Sequence, residues 1–381
     1  MILTTGQEKG LKIAVERYKN KEPYTVIAGF AGTGKSFLIS HIVDALGIDE
    51  SDVCYITYTG KASLVLKEKG CENAMTAHKL LYYSQEKPDE TFVHRPRKHI
   101  EENYKLIVVD EVSMISEEMW QLLLSHHVHV IALGDPGQLE PIEGESKILT
   151  HPHIFLDEIV RQAQDSEIIR LSMDIREGLP LKLCKGNEVS IITKKQLNDQ
   201  YYSGADQIIA AKNITRQDIN WKCRQIRFGP DVPDEPINGD KVICLKNYWN
   251  ILSSYGDPLI NGMIGQLKDV WIEHNVHKYK DRMFADFYID STNKFQNLFM
   301  DYKLFTDGQQ TINGDNWKNF KGLQKPSLFD YGYCITCHKG QGSEWDKVLV
   351  FNEYMKDTDW KRWAYTACTR AKKKLIIVVN S

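Results

Sequence analysis

The eight residues "GFAGTGKS" at 29–36 satisfy the spacing G-x-x-x-x-G-K-[ST] in full. Gly29 and Gly34 free the backbone to wrap its N–H groups around phosphate oxygens, with Ala31, Gly32, Thr33 and Phe37 completing the cradle. Lys35 is placed to reach the β- and γ-phosphates, and the Ser36 hydroxyl to ligate Mg²⁺. A second apolar run, "KLIVVDE" (105–111), ends in two acids. A buried strand that delivers Asp110 and Glu111 to its carboxyl end puts one carboxylate near the metal and the other near an attacking water. A third run leads into "ALGDPGQLEPIEG" (132–144), where Gln138, close to Asp135, has the polarity to sense a γ-phosphate or orient water. The chemistry these three clusters share is hydrolysis of Mg-ATP.

One motif points elsewhere. "YCITCHKGQGSEW" (333–345) contains Cys334, Cys337 and His338 in the order C-x-x-C-H, which fits covalent haem attachment, a redox dithiol, or half of a zinc site. No second Cys or His pair stands at zinc-finger spacing. The eight cysteines are scattered through a long chain whose opening residues lead us to expect no secretory signal, so reduced cytosolic thiols are expected.

The elements that must position these residues follow from periodicity. Leu11, Ala14, Val15 and Tyr18 mark one face of an opening helix. "YTVIAG" (24–29), "VCYIT" (53–57), "KLIVVD" (105–110) and "VHVIAL" (128–133) are short apolar runs separated in part by helical patterns, as in a parallel α/β sheet. A second α/β set is split: "QIIAA" (207–211) and a helix at 214–228, then "KVLVF" (347–351), a helical stretch at 358–372 and "KLIIVV" (374–379). The stretch 229–239 carries three prolines and reads as a linker, and 240–330 reads as a β-rich insertion. Residues 82–104 interrupt the first set as a short hairpin with a basic cluster, Arg95, Arg97 and Lys98.

The 381 residues suggest roughly two to four domains. A net charge of −3 argues against a generally basic nucleic-acid binder and leaves room for a local basic groove. No stretch approaches the ~18 apolar residues of a membrane span.

Taken in order, "GFAGTGKS", "TYTGKAS" (57–63), "TAHKLL" (76–81), "VVDEVSMI" (108–115), "LGDPGQLEPI" (133–142), "EIVRQAQDSEIIRLSMDIREG" (158–178), "ITCHKGQGSEWDKV" (335–348) and "YTACTRAKK" (365–373) resemble the motifs of superfamily 1 DNA helicases, in their RecD-like and Dda-like branch. The resemblance covers nearly the whole chain. It aligns Cys337 with a position the branch fills with an apolar residue, so Cys334 and Cys337 are expected to be small buried hydrophobes, with neither haem nor zinc.

The fold this implies is two RecA-like P-loop domains with parallel sheets: residues 1–81 with 105–180, and 181–239 with 331–381. A strand-separating pin at 82–104 and an SH3-like insertion at 240–330 complete it. ATP would lie in a cleft, its binding and hydrolysis closing and opening the two halves. The resemblance puts Gln7 against adenine, Glu344 near the ribose, Gly342 among the nucleotide-binding residues, and Arg161 and Arg370 on the γ-phosphate. It puts Thr59, Lys61, Thr76, His78, Thr336, His338 and Lys339 along the DNA strand, with Phe92 as the wedge of the pin. It implies 5′ to 3′ movement on single-stranded DNA, binding at duplex junctions, replication or recombination proteins as partners, and a cytoplasmic location, a host's if the chain is phage-encoded. Tyr58 departs from the branch, which often has proline there. Three rivals stand beside this reading: a P-loop kinase or switch indifferent to DNA, a non-enzymatic single-strand binder, and an electron carrier.

Overall fold

The computed structural model describes residues 3–86, 92–139, 147–160, 165–276, 279–313, 316–320, 322–353 and 357–379. Thr4 opens helix α1 (Thr5–Lys19) with a capping box: its hydroxyl accepts from the Gln7 amide while the Gln7 side chain accepts from the Thr4 amide. Strand β1 (Tyr24–Gly29) follows, then α2 (Lys35–Leu46), which stops at Gly47 in the left-handed conformation. Next come β2 (Val53–Thr57), α3 (Gly60–Glu68), β3 (Ala74–Thr76), α4 (Ala77–Leu81), β4 (Tyr82–Glu86), β5 (Phe92–Pro96), β6 (Leu106–Val109), α5 (Glu117–Leu124), β7 (His129–Gly134) and β8 (Ile154–Leu156).

Six of these strands form a parallel sheet of order β3-β2-β6-β7-β1-β8. Its strands are covered on both faces, which is why they read as continuous apolar runs. Val26, Cys54, Ile56, Ile107, Val109, Val130 and Ala132 pack on one face with Trp120. Their neighbours Ile27, Val53, Tyr55, Leu106, Val108 and Ile131 pack on the other with Leu38 and Ile42 of α2. Each fully buried aliphatic here is worth about 1.5–3 kcal/mol against exposure. The sheet order places the carboxyl ends of β1, β6 and β7 side by side, and these are the ends that carry the phosphate loop, Asp110 and Asp135. Strands β4 and β5 pair antiparallel, Tyr82 opposite Pro96, as the expected hairpin.

Strands β9 (Cys184–Lys185), β10 (Val189–Thr193), β11 (Gln207–Ala210), β12 (Lys241–Cys244), β13 (Tyr248–Leu252), β14 (Pro258–Leu259), β15 (Ile264–Val276), β16 (Lys280–Tyr288), β17 (Lys294–Met300), β18 (Phe329–Tyr331), β19 (Cys334–Thr336), β20 (Trp345–Phe351) and β21 (Ala371–Val379) complete the set. A second six-stranded sheet has the order β19-β11-β20-β21-β10-β9, with β11 parallel to both its neighbours. A five-stranded sheet, β17-β16-β15-β12-β18, is the β-rich insertion, and its neighbouring strands pair antiparallel.

Contacts divide the chain into two compact units. The first holds residues 1–192, 341–346 and 354–377, and the second holds 193–340, 347–353 and 378–381. In the second unit the fully buried Arg224 donates to Asp240 and to the carbonyls of Pro233, Asp234 and Glu235. The proline-bearing stretch 229–239 is therefore bound down rather than a free tether. The expected helix at 358–372 runs Asp357–Cys368, and its last residues turn into β21. Strands β3, β8 and β10 have no counterpart in the sequence reading.

Candidate nucleotide site in the first unit

The phosphate loop joins β1 to α2, and Gly32 and Gly34 adopt positive φ of 78° and 74°. At Gly34 a side chain is excluded twice over, since a Cβ would also stand 2.5 Å from the Gln7 amide nitrogen. Lys35 lays its ammonium back over the loop, donating to Gly29 O at 2.7 Å and Phe30 O at 3.0 Å. Burial lowers its pKa, opposed by the charges of Asp135, Asp110 and Glu111 in that order. Ser36 is exposed at the first turn of α2, while Thr33 is buried and donates its hydroxyl to Phe30 O.

Gln7 is 1% exposed, and its side chain serves the loop. Its Nε2 donates to Thr33 O at 3.0 Å and to Gly34 O at 3.5 Å, while its Oε1 accepts from Thr4.

Asp110 and Glu111 follow β6 as the sequence requires. Asp110 N donates to Ile56 O at 2.9 Å, and Asp110 Oδ1 accepts from Glu111 N at 3.0 Å. Glu111 sits in the left-handed region with φ 54°, a costly conformation for a non-glycine residue. Burial pushes both carboxyls up in pKa, offset chiefly by Lys35 for Asp110 and by Arg370 for Glu111. Arg370, 4% exposed, holds an ion pair with Glu111 at 3.8 Å and donates to Thr366 O, Ser343 O and Thr369 Oγ1. The oxygen donors of Ser36 and Asp110 suit a hard cation such as Mg²⁺, and a divalent charge there would favour ionised Asp110 against its burial.

The loop after β7 is held at several points. Asp135 Oδ1 accepts from Gly137 N at 2.9 Å and Oδ2 from the Tyr365 hydroxyl at 2.6 Å, and that hydroxyl accepts from the phosphate-loop amide of Ala31 at 2.8 Å. Thr366 Oγ1 accepts from Leu139 N, and Gln341 donates to Leu139 O. Gln138 is partly exposed between these anchors. Sequence reading missed Tyr365, Thr366 and Gln341, although all three lie inside motif blocks it quoted.

The other expected residues fall as follows. Arg161 lies outside the described residues. Phe92 begins β5, but its side chain is outside them too. Gly342 has φ 71°, and its backbone amide hydrogen-bonds Glu111. Glu344 is exposed and pairs with Lys372 at 3.8 Å. Thr59 and Thr76 act locally as N-caps, of α3 through Ala62 N and of α4 through Lys79 N. Lys61 lies over the Trp345 ring at 5.0 Å, and burial lowers its pKa to about 8. His78 stands between Tyr58 and Tyr82, with ring centroids 5.8 and 5.7 Å away. In the second unit, Thr336 ends β19, His338 is half-buried with its pKa lowered by burial, and Lys339 is exposed. Cys334 and Cys337 are 0% and 1% exposed. Among the described residues no group of three or more His, Cys, Asp or Glu side chains is arranged to hold a metal ion.

Residues 3–193 match the AAA domain family, and 331–378 match the UvrD-like helicase C-terminal domain. The ATP-dependent RecD2 DNA helicase of Deinococcus radiodurans is 26% identical over 92% of this chain and 46% of its own length. The ATP-dependent DNA helicase dda of Enterobacteria phage T4 is 28% identical over 46% of this chain and 43% of its own. The chain thus spans less than half of each of these relatives. A protein of Acanthamoeba polyphaga mimivirus is 35% identical, over 95% of this chain and 96% of its own. Among solved structures, a Bacteroides Pif1 helicase with ADP-AlF3 and single-stranded DNA superposes with a TM-score of 0.54 at 17% identity, covering 99% of this chain and 92% of that one. The chain belongs to the AAA domain family, and its fold is that of the Pif1 helicase structures it superposes on. Its fold is α/β, with RecA-like parallel sheets plus a hairpin and a β-rich insertion.

Proposed function

We propose that this chain is a DNA-stimulated ATPase that moves 5′ to 3′ along single-stranded DNA and separates duplex strands at a junction. The observation that carries the reading is the gathering of Lys35, Asp110, Glu111, Asp135 and Arg370 in one compact unit, with Arg370 paired to Glu111 at 3.8 Å. Cradle, water-polarising carboxylate and guanidinium are the parts that phosphoryl transfer to water needs.

In this reading the loop amides and Lys35 bind the triphosphate, and Ser36 and Asp110 hold Mg²⁺. The metal, when bound, neutralises charge on the β- and γ-phosphates. Glu111 accepts the proton of the attacking water, and Gln138 orients it. Arg370, joined by Arg161, moves from its carboxylate to the charge that builds on the γ-phosphate. Release of Glu111 from that ion pair leaves it free to act as base. Gln7, Gly342 and Glu344 border the base and ribose.

The strand would lie along Thr59, Lys61, Thr76 and His78, and along Thr336, His338 and Lys339, with Phe92 as wedge. The two RecA-like halves, 1–81 with 105–180 and 181–239 with 331–381, would alternate their grip as nucleotide state changes. The polarity rests on the branch, as do the cytoplasmic location and the replication or recombination partners. Among the described residues no helix is long and apolar enough to cross a membrane.

The test is ATP hydrolysis with and without single-stranded DNA, followed by unwinding of duplexes tailed at 5′ or 3′. Stimulation with unwinding from the 5′ tail alone is the expected result. Hydrolysis unmoved by DNA would leave a P-loop switch or kinase and end the motor reading.

A further inference from the structure

The hairpin β4–β5 carries a basic cluster, Arg95, Arg97 and Lys98, to which the nucleotide site assigns no task. The two faces of this ribbon differ. Successive residues of a strand point to opposite sides, and Tyr82 and Tyr83 divide accordingly. Tyr82 is half-buried, packed on the core of the first sheet, with its ring 5.7 Å from that of His78. Tyr83 is 47% exposed.

Tyr83 stands opposite Arg95 in the antiparallel register, so the two side chains share the outer face. Arg97 N donates to Leu81 O at 2.8 Å, one step past the end of β5, and Arg97 returns to the same face. Its guanidinium lies 4.1 Å from the centre of the Tyr83 ring and pairs with Glu101 at 3.4 Å. The Tyr83 hydroxyl donates to the same carboxylate at 2.9 Å. Ring, cation and carboxylate close a triangle that fixes an aromatic side chain in contact with water. Glu101 is matched by Arg97, which leaves the exposed Arg95 and Lys98 as the cations of the cluster.

Holding a side chain still costs rotamer entropy, and Tyr83 recovers little of it through burial. The gain comes when a partner lands on a ring that is already in place. A flat exposed ring flanked by cations matches the alternation of base and phosphate along a single nucleic-acid strand. We propose that the outer face of the hairpin, Tyr83 with Arg95 and Lys98, binds the strand displaced at a duplex junction, one base stacking on Tyr83. This rests on the helicase reading above, in which the tracked strand runs past His78, on the Tyr82 side. Strands that part at the hairpin leave on its two sides, and the displaced one meets Tyr83.

Binding of the full chain is measured by fluorescence anisotropy to three DNAs: a single strand, a duplex with a 5′ tail, and that duplex with a non-complementary 3′ arm on its other strand. The arm is expected to tighten wild-type binding about 10-fold, as one stacked base can. Tyr83→Leu should lose that gain and Tyr83→Phe keep most of it, with single-strand affinity and single-strand-stimulated hydrolysis the same in all three proteins. An abasic arm should bring wild type and Tyr83→Leu together. A wild type to which the arm adds nothing overturns the proposal, as does a Tyr83→Leu variant that keeps the gain. Equal losses on single strand and fork would put Tyr83 on the tracked strand and overturn it too. If Tyr83→Leu melts early, the double variant Arg95→Gln/Lys98→Gln decides, both positions being exposed. The salt dependence of the arm's gain should flatten in it, and an unchanged dependence refutes. Binding to none of the three DNAs would instead remove the helicase reading itself.

Discussion

Replacing Gln7 with alanine separates two jobs that one side chain can have. In the structure the Gln7 amide bridges the start of α1 and the phosphate loop, accepting from Thr4 N at 3.0 Å and donating to Thr33 O at 3.0 Å, with a longer contact to Gly34 O at 3.5 Å. Each well-formed bond contributes about 1 kcal/mol net, and a buried partner left unsatisfied adds its own cost. Two such bonds and an orphaned carbonyl beside a 1% exposed side chain give a loss of about 2–3 kcal/mol. For a unit of this size that lowers the melting temperature by roughly 5–10 °C. The assay is thermal melting without nucleotide, then ATP and GTP hydrolysis on the same preparation. A residue that only contacts adenine would leave the melt unchanged and erase the preference for ATP over GTP. A residue that braces the loop lowers the melt and weakens both nucleotides together. An unchanged melting temperature would refute the structural argument.

Three further outcomes are expected. Arg370→Ala should lower kcat for ATP by at least about 10³-fold while leaving ATP binding largely intact, and a variant with near-normal turnover would exclude the guanidinium from the reaction. Lys61, whose pKa burial lowers from an ordinary 10.5 to about 8, holds its proton less tightly folded than unfolded. Its contribution to stability therefore rises as pH climbs from about 8 towards 10.5, so the urea midpoint of wild type should gain on that of Lys61→Gln between these limits; parallel profiles would contradict it. Phe92→Ala should impair unwinding and spare DNA-stimulated hydrolysis, and if both fall together the residue is not a wedge.

The first sheet was legible because each long strand is buried on both faces and so appears as an unbroken apolar run, as at 53–57 and 105–110. β3 and β8, at three residues each, are too short to show a period, and β10 lies in "VSIIT" where no helical pattern flagged a crossover. Lys35, Asp110 and Glu111 were readable because a phosphate site demands those residue types at strand ends. Tyr365 was not, because a tyrosine on the buried face of a helix usually signals packing, and its hydrogen bonds to Ala31 and Asp135 span 334 and 230 residues. Thr59 and Thr76 show the converse: hydroxyls expected at a strand of DNA also cap the helices that follow them.

The compact unit that contains the phosphate loop also requires residues 341–346 and 354–377, supplied more than three hundred residues after the loop. During synthesis the loop leaves the ribosome long before Tyr365 and Arg370 exist. Until then Asp135 lacks its phenol and Glu111 lacks its cation. Any product terminated near residue 340 carries the phosphate-loop signature and the Gln7 brace but lacks Gln341, Tyr365 and Arg370. The surroundings of the phosphate loop are therefore complete only once the segments 341–346 and 354–377 have joined the first unit.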